Sequence, residues 1–276
     1  MKCTWVVLFL IASDVVKPLP SEGTPRLEQR SDLDAPFRRA GVAGTTVVYD
    51  SRYGRWVTND VRRAAKRFPP ASTFKIFNSL VALETGAIPD TETVLKWDGV
   101  PRWVRAWNRD MDMREAIRVS AVWYYQELAR RIGREPMQEW LDRAGYGNRR
   151  IGDHIDTFWL NGPLEMSAVE QIEFLIRLRG DQLSFSRRTT DLFQQIMPVE
   201  KVSGGAVLRG KTGWTGDLRP AIGWYVGWME VEGGLVFFAT NIDITRNEDA
   251  TARIPVTIEV LRTLGYLALD SSRPRE

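Results

Sequence analysis

Short apolar runs bounded by turn residues are typical of strands at both ends of the chain, and the pattern of hydrophobic and polar residues in the middle, from Trp97 to Met197, is mostly typical of helices. The predicted strands, each bounded by glycine or charged turn residues, are Gly44–Tyr49, Arg55–Val57, Ala206–Lys211, Ala221–Val231 and Leu235–Ile242. The predicted helices of the middle part are Met111–Val119, Val122–Ile132, Glu135–Ala144, Ser167–Arg179 and Ser186–Met197. A closing helix is predicted over about Ala252–Leu264.

This order of elements predicts an α+β fold. Strands from both ends complete one antiparallel sheet flanked by helices, and residues from about 97 to 200 form an inserted all-helical lobe. Residues 41–270 then form one catalytic domain, and a cleft is expected where the two lobes meet.

The first residues have the composition of an export signal. Met1-Lys2-Cys3 is a basic start, and the apolar stretch Thr4–Ala12 is shorter than the ~18 residues needed to span a bilayer. We therefore expect a signal peptide over residues 1–21, a linker or N-terminal segment over 22–40, and a periplasmic or secreted protein. No other segment is long and apolar enough to predict a membrane span.

Composition narrows the chemistry. The net charge of +3 is spread without basic blocks, which argues against nucleic-acid binding and suits a small anionic substrate. The chain has one cysteine, Cys3, and one histidine, His154, so neither an internal disulfide nor an ordinary Cys/His zinc site is expected. A nucleophilic serine in this chain would need a base other than histidine.

Such a serine is predicted at Ser72, directly after Pro69-Pro70-Ala71, at the start of a helix that runs to Thr85. Lys75 is three residues later, so its amine lies one turn away on the same face. A hydroxyl beside an amine at a helix N-terminus is typical of a nucleophile with its base. The simpler alternative is a capping serine and a solvated lysine, and these four residues alone favour it.

Two further segments carry side chains suited to a cleft. Ser120, in Ser120-Ala121-Val122, is at a helix–helix junction and can present its hydroxyl there. Lys211-Thr212-Gly213 ends a predicted edge strand, where a lysine and a hydroxyl can bind a carboxylate and a glycine leaves room for a ligand.

Residues 205–212 also match the phosphate-binding pattern G-x-x-x-x-G-K-[ST]. That motif needs a strand before it, a loop within it and a helix after it. Here the segment itself is strand-like and another strand follows, so we interpret the match as accidental.

Taken in order, a set of short motifs resembles the class D (oxacillinase-type) serine β-lactamases, over about residues 42–268. The motifs are Ser72-Thr-Phe-Lys75, Ser120-Ala-Val122, Tyr146-Gly-Asn148, Phe158-Trp159-Leu160 and Lys211-Thr-Gly213. Each is weak alone, but the ordered set is specific. The resemblance implies hydrolysis of β-lactams, antibiotic resistance, and no metal or organic cofactor.

The resemblance also implies roles for single residues. Ser72 would be the acylated nucleophile, Ser120 a proton shuttle, and the backbone N–H groups of Ser72 and Trp214 the oxyanion hole. The residues implied to contact substrate are Val122, Leu160, Lys211, Thr212, Gly213 and Arg253.

Lys75 would react with carbon dioxide, supplied by bicarbonate, to give N6-carboxylysine, the general base. Carboxylation needs a neutral amine, and burial among apolar side chains lowers the pKa of a lysine. The indole N–H of Trp159 is a donor that can hold the carboxylate.

Three alternatives remain open at this point. A D,D-peptidase or penicillin-binding protein shares the Ser72 and Lys211 motifs but hydrolyses its acyl-enzyme slowly. A β-lactam sensor domain stays acylated and normally follows transmembrane helices. A nucleotide hydrolase, which the phosphate-binding pattern at residues 205–212 would indicate, is the alternative with a different chemistry from acylation of a serine. The sequence does not distinguish a monomer from a homodimer.

Overall fold

The structure is a computed structural model that describes residues 25–202, 205–216 and 218–268. The predicted signal peptide, residues 1–21, lies outside these ranges. Within them, no helix combines the length and the apolar character needed to cross a membrane.

One mixed sheet forms the centre of the described chain. Its strands are β1 (Leu27–Gln29), β2 (Gly44–Asp50), β3 (Arg55–Thr58), β4 (Val199–Lys201), β5 (Val207–Trp214), β6 (Ala221–Val231) and β7 (Gly234–Ile244). Their order across the sheet is β1-β3-β2-β7-β6-β5-β4. Every pair is antiparallel except β1–β3, which is parallel. The predicted α+β fold, with strands from both ends meeting at β2 and β7, is confirmed.

Helices cover both faces of the sheet. They are α1 (Asp34–Ala40), α2 (Val61–Ala65), α3 (Lys75–Glu84), α4 (Met113–Arg118), α5 (Val122–Ile132), α6 (Arg134–Ala144), α7 (Ala168–Arg179), α8 (Arg187–Ile196) and α9 (Arg253–Thr263). The helices from α4 to α8 correspond to those predicted for the middle of the chain. A capping box formed by Ser167 and Glu170 begins α7.

Two hydrophobic cores lie on opposite faces of the sheet, and β6 contributes to both. Trp224, Val226 and Trp228 belong to the larger core, shared with the helical lobe. The intervening Tyr225 and Met229 belong to the smaller core, which includes residues of α1 and α9. Because side chains alternate across a strand, β6 is buried on both faces and holds the sheet between its two layers.

The structure corrects two predicted boundaries. Residues from 25 to 40 are not a linker, because β1 and α1 form there and Leu33 and Phe37 are buried in the smaller core. Residues four apart lie on the same face of a helix, but the charged residues around Leu33 and Phe37 obscured this pattern in the sequence. Strand β5 extends three residues past its predicted end at Lys211, since pairing with β6 continues to Trp214 opposite Gly223.

Close packing of β5 against β6 gives a prediction at Gly227. A Cβ there would lie 2.0 Å from the backbone oxygen of Arg209 on β5. Because neither strand can move without disturbing a core, Gly227→Ala should lower the free energy of unfolding by about 3 kcal/mol or more in urea titrations. Gly54→Ala, in an open turn with φ +64°, is the control and should lose only about 1–2 kcal/mol. Equal losses would show that the interstrand contact is not the cause.

Candidate active site

Ser72 lies in a single 3-10 turn, Ala71–Phe74, that leads directly into α3. The predicted α-helix over 72–85 therefore begins three residues later, at Lys75. A 3-10 turn has three residues per turn, so the side chains of Ser72 and Lys75 eclipse one another. The Nζ of Lys75 donates to the Oγ of Ser72 over 2.8 Å. The predicted pair is brought together more closely than an α-helix would bring it.

Lys75 is fully buried, and its surroundings are polar but uncharged or positive. Nζ donates to the carbonyl oxygen and to Oγ of Ser120, at 2.7 and 2.9 Å, and lies 5.4 Å from the centre of the Tyr125 ring. Within the described residues no carboxylate forms an ion pair with it. Burial, and then the neighbouring charge of Lys211, hold the pKa of Lys75 well below its usual value. The amine is therefore available in its neutral form.

Lys211 approaches the same hydroxyl from the sheet. Its Nζ donates to Ser120 Oγ and to the carbonyl oxygen of Thr212, both at 2.9 Å. Burial, with a smaller contribution from the charge of Arg253, lowers the pKa of Lys211 to about 7. Ser120 Oγ thus connects the amines of Lys75 and Lys211, which is an arrangement suited to moving a proton between them.

The outer edge of β5 is open beside this site. Strand β4 pairs with β5 only as far as Arg209. The N–H of Thr215 donates to Ile222 on β6, so by the alternation of antiparallel strands the N–H of Trp214 points to the open edge. A Cβ on Gly213 would lie 3.0 Å from the carbonyl oxygen of Pro70. The glycine therefore lets β5 approach the turn that carries Ser72.

Arg253 is the first residue of α9, and its side chain is largely buried behind β5. Nη1 donates to the carbonyl oxygen of Gly213 over 2.7 Å, and Nε donates to that of Ala250 over 2.5 Å. Burial lowers the pKa of this guanidinium to about 10, so it stays cationic at neutral pH. It adds a positive charge behind Lys211 and Thr212.

Trp159 is buried, with its indole stacked on Phe74 at 5.0 Å between ring centres. Its carbonyl oxygen accepts from the N–H of Ala71 over 2.8 Å, which connects the helical lobe to the turn that carries Ser72. Its Nε1 has no hydrogen-bond partner among the described residues. A buried N–H without a partner is rare, and this one is available to an added acceptor.

The remaining motif residues differ in what they contribute. Val122 and Leu160 are half-buried. Tyr146 packs in the core against Phe77, and Asn148 bonds to the backbone of Pro163 and Glu165, so that motif supports the site without entering it. Residues 207–212 of the apparent phosphate-binding match lie in β5, with no helix after them.

Sequence reasoning missed two features. Tyr125, under the amine of Lys75, lies one helical turn after Val122 and could have been found from that spacing. Ala71 has φ +48°, and no signal in an alanine indicates such a backbone.

The fold and this arrangement of serine and lysines define a class of active-site serine enzymes. The family model of the penicillin-binding protein transpeptidase domain matches residues 44–262. Beta-lactamase OXA-48 of Klebsiella pneumoniae is 38% identical, with 92% of this chain and 95% of the relative covered. Beta-lactamase OXA-10 of Pseudomonas aeruginosa is 37% identical, with 87% and 91% covered.

Solved structures agree with these relatives. The class D β-lactamase YbXI from Nostoc superposes with a TM-score of 0.83 at 48% identity, covering 86% of this chain and all of that one. FUS-1 (OXA-85) from Fusobacterium nucleatum has the same TM-score at 37% identity, with 87% of this chain and all of that one covered. The chain belongs to the class D (OXA-type) β-lactamases, which are serine hydrolases. The resemblance read from the motifs is confirmed.

Burial of Lys211 gives a prediction about stability and pH. Its pKa is about 7 in the folded chain and 10.5 in the reference state. The unfolded chain therefore binds more protons between these values, and the penalty for burying the amine is full below pH ~7 and declines as the pH rises toward ~10. We expect Lys211→Met to raise the free energy of unfolding by about 1–4 kcal/mol at pH 7, and by less at pH 9. Urea titrations at both pH values measure this.

The control is Lys201→Met, at an exposed position on β4. It should change the free energy of unfolding equally little at both pH values. A Lys211→Met variant that is less stable than the wild type at pH 7 would contradict the assignment of a desolvation penalty to this amine.

Proposed function

We propose that this chain opens the four-membered amide ring of β-lactams through an acyl-enzyme on Ser72, with Lys75, carboxylated on Nζ, as the general base. The observation that carries the proposal is the full burial of the Lys75 amine, 2.8 Å from Ser72 Oγ and without an acidic partner among the described residues. An ammonium there is disfavoured, and a neutral amine is the form that reacts with carbon dioxide.

The surrounding residues fit a carboxylated lysine. The Nε1 of Trp159 lacks an acceptor in a buried position, and the hydroxyls of Ser72 and Ser120 contact the amine and can donate to an acceptor. These three groups would hold the added carboxylate, which supplies a base for the Ser72 proton and then for the hydrolytic water. The chain's lone histidine, His154, is exposed on a loop and is not needed.

The other residues stabilise the oxyanion, protonate the lactam nitrogen and bind the substrate. The N–H groups of Ser72 and Trp214 stabilise the oxyanion that forms when Ser72 Oγ attacks the lactam carbonyl. As the ring C–N bond breaks, Ser120 passes its proton to the nitrogen and recovers one from Lys211, which lies 2.9 Å away. Thr212, Lys211 and Arg253 bind the substrate carboxylate, and Val122 and Leu160 border the substrate.

Cell location and assembly are part of the same proposal. The apolar stretch Thr4–Ala12 after a basic start would direct export to the periplasm or beyond, where β-lactams reach the enzyme and hydrolysis confers resistance. The partners would be small-molecule β-lactams, and the chain would act as a monomer or homodimer.

Hydrolysis of a chromogenic cephalosporin by the purified chain tests the reaction. We expect many turnovers per enzyme, faster with added bicarbonate. Lys75→Ala should lower kcat by at least about 10²-fold, because it removes the base. A burst equal to the enzyme concentration without further turnover would contradict the proposal and indicate a sensor or penicillin-binding protein.

The role of Trp159 is tested by Trp159→Phe, which keeps the stacked ring and removes the N–H. We expect kcat to fall about tenfold and bicarbonate to restore part of it. In Trp159→Phe, the ¹³C resonance of the carboxylated lysine, observed with labelled bicarbonate, should require a higher bicarbonate concentration to appear than in the wild type. The control is Trp140→Phe, since Trp140 stacks on Phe185 in the helical lobe. Identical bicarbonate dependence in Trp159→Phe and the wild type would argue against this role.

A further inference from the structure

Ser120 has an unusual backbone for a residue other than glycine. Helix α4 ends in a left-handed turn, in which Ala121 N–H donates to Ala116 and Ser120 N–H donates to Ile117. Ser120 occupies the left-handed position with φ +58°, where glycine is usual. A side chain in this region is strained by about 1–2 kcal/mol. The strained backbone directs the Ser120 hydroxyl to Lys75 and Lys211, so something must hold it.

The peptide between Val119 and Ser120 determines this φ angle, because rotating that peptide plane about the N–Cα bond of Ser120 is the φ rotation itself. The carbonyl of Val119 belongs to the last turn of α4 and has no acceptor role within the helix. The indole Nε1 of Trp107 donates to it over 2.8 Å. On the opposite side of this plane, the Ser120 N–H donates to the carbonyl oxygen of Ile117 in a longer hydrogen bond of 3.3 Å. The short bond from Trp107 is therefore the stronger restraint on the plane.

Trp107 is itself held in place by a second indole. Trp123, which is 3% exposed on α5, donates from Nε1 to the carbonyl oxygen of Trp107 over 2.7 Å. The side-chain amide of Asn108 closes the loop that carries Trp107. Its oxygen accepts from the N–H of Arg102 over 2.8 Å, and its NH2 group donates to the carbonyl oxygen of Arg102 over 2.9 Å. A chain of two indole hydrogen bonds thus runs from α5 through Trp107 to Val119.

We propose that Trp107, supported by Trp123, is a positioning residue for Ser120. The Trp107 N–H fixes the Val119–Ser120 peptide plane, and this keeps the Ser120 hydroxyl within hydrogen-bond reach of both lysine amines. Without it the plane rotates toward an unstrained φ, and the hydroxyl leaves the position between Lys75 and Lys211. Trp107 acts through the backbone of its neighbour and not on the reacting atoms.

A double-mutant cycle on acylation tests the proposal. In the full-length chain, Trp107→Phe should lower kcat/KM for a chromogenic cephalosporin about 10- to 100-fold, the scale of loss expected when a reacting group is misplaced by about 1 Å. In a Ser120→Ala background, the same change should lower kcat/KM less than about twofold, since the hydroxyl that it positions is gone. Loss by the same factor in both backgrounds, or no loss in the wild type, would overturn the proposal.

Two further variants separate positioning from general damage to the loop. Trp123→Phe removes the supporting donor and should cause a smaller loss, about threefold, that also disappears in the Ser120→Ala background. Trp97→Phe is the matched control, because the Trp97 indole donates to Val100 in the same loop, over 3.2 Å, but not to the Ser120 segment. It should leave kcat/KM within about twofold of the wild type. A Trp97→Phe loss equal to that of Trp107→Phe would show that the loop as a whole, and not the Val119 bond, is responsible.

Discussion

The site depends on a lysine amine that is buried without a negative partner. An ammonium in such a position loses its hydration and gains no ion pair, so its pKa lies well below the usual value. Lys211 on the facing strand deepens the effect, because two charged amines around one serine hydroxyl would repel each other. The fold supplies this environment by packing α3 against the helical lobe, where the amine is fully buried and lies 5.4 Å from the centre of the Tyr125 ring.

The sheet contributes the other half of the site through an incomplete edge. Strand β4 covers only the first three residues of β5, so the part of β5 that carries Lys211 and Thr212 keeps unpaired backbone groups. Burial of β6 on both faces makes that edge rigid from behind. An unpaired N–H on a rigid strand is preorganised to stabilise an oxyanion, since no reorganisation is needed when charge develops. An open edge of this kind can be an aggregation hazard, and here it lies beside the turn that carries Ser72, which packs against β5 at Gly213.

Much of this could be predicted from the sequence, and the limits have physical causes. The strands of the two ends were visible because apolar runs there are bounded by glycine or charged turn residues, and Ser72, Lys75 and Lys211 were visible because their chemistry is tied to short motifs. The 3-10 turn at Ala71–Phe74 was not predictable, since the helix formers around it favour an α-helix and only contacts with Trp159 and β5 select the tighter turn. The helix at Asp34–Ala40 was missed because its two buried residues, Pro36 and Phe37, stand among five polar or small ones, and only the neighbouring α9 shows which face is buried.

At Ala71 and Ser120, tertiary contacts determine backbone angles that the local sequence does not favour. Both residues have φ near +50°, where neither alanine nor serine resides by preference, and both lie next to groups that contact Lys75. Each is fixed by a tryptophan from the helical lobe, Ala71 through its N–H to the Trp159 carbonyl and Ser120 through the Trp107 indole to Val119. Strain of about 1–3 kcal/mol at each position persists only where the surroundings over-determine it. At Ser120 the task falls to an indole, a large, rigid side chain with one directed donor, so Trp107 serves the geometry of the site and not only the core.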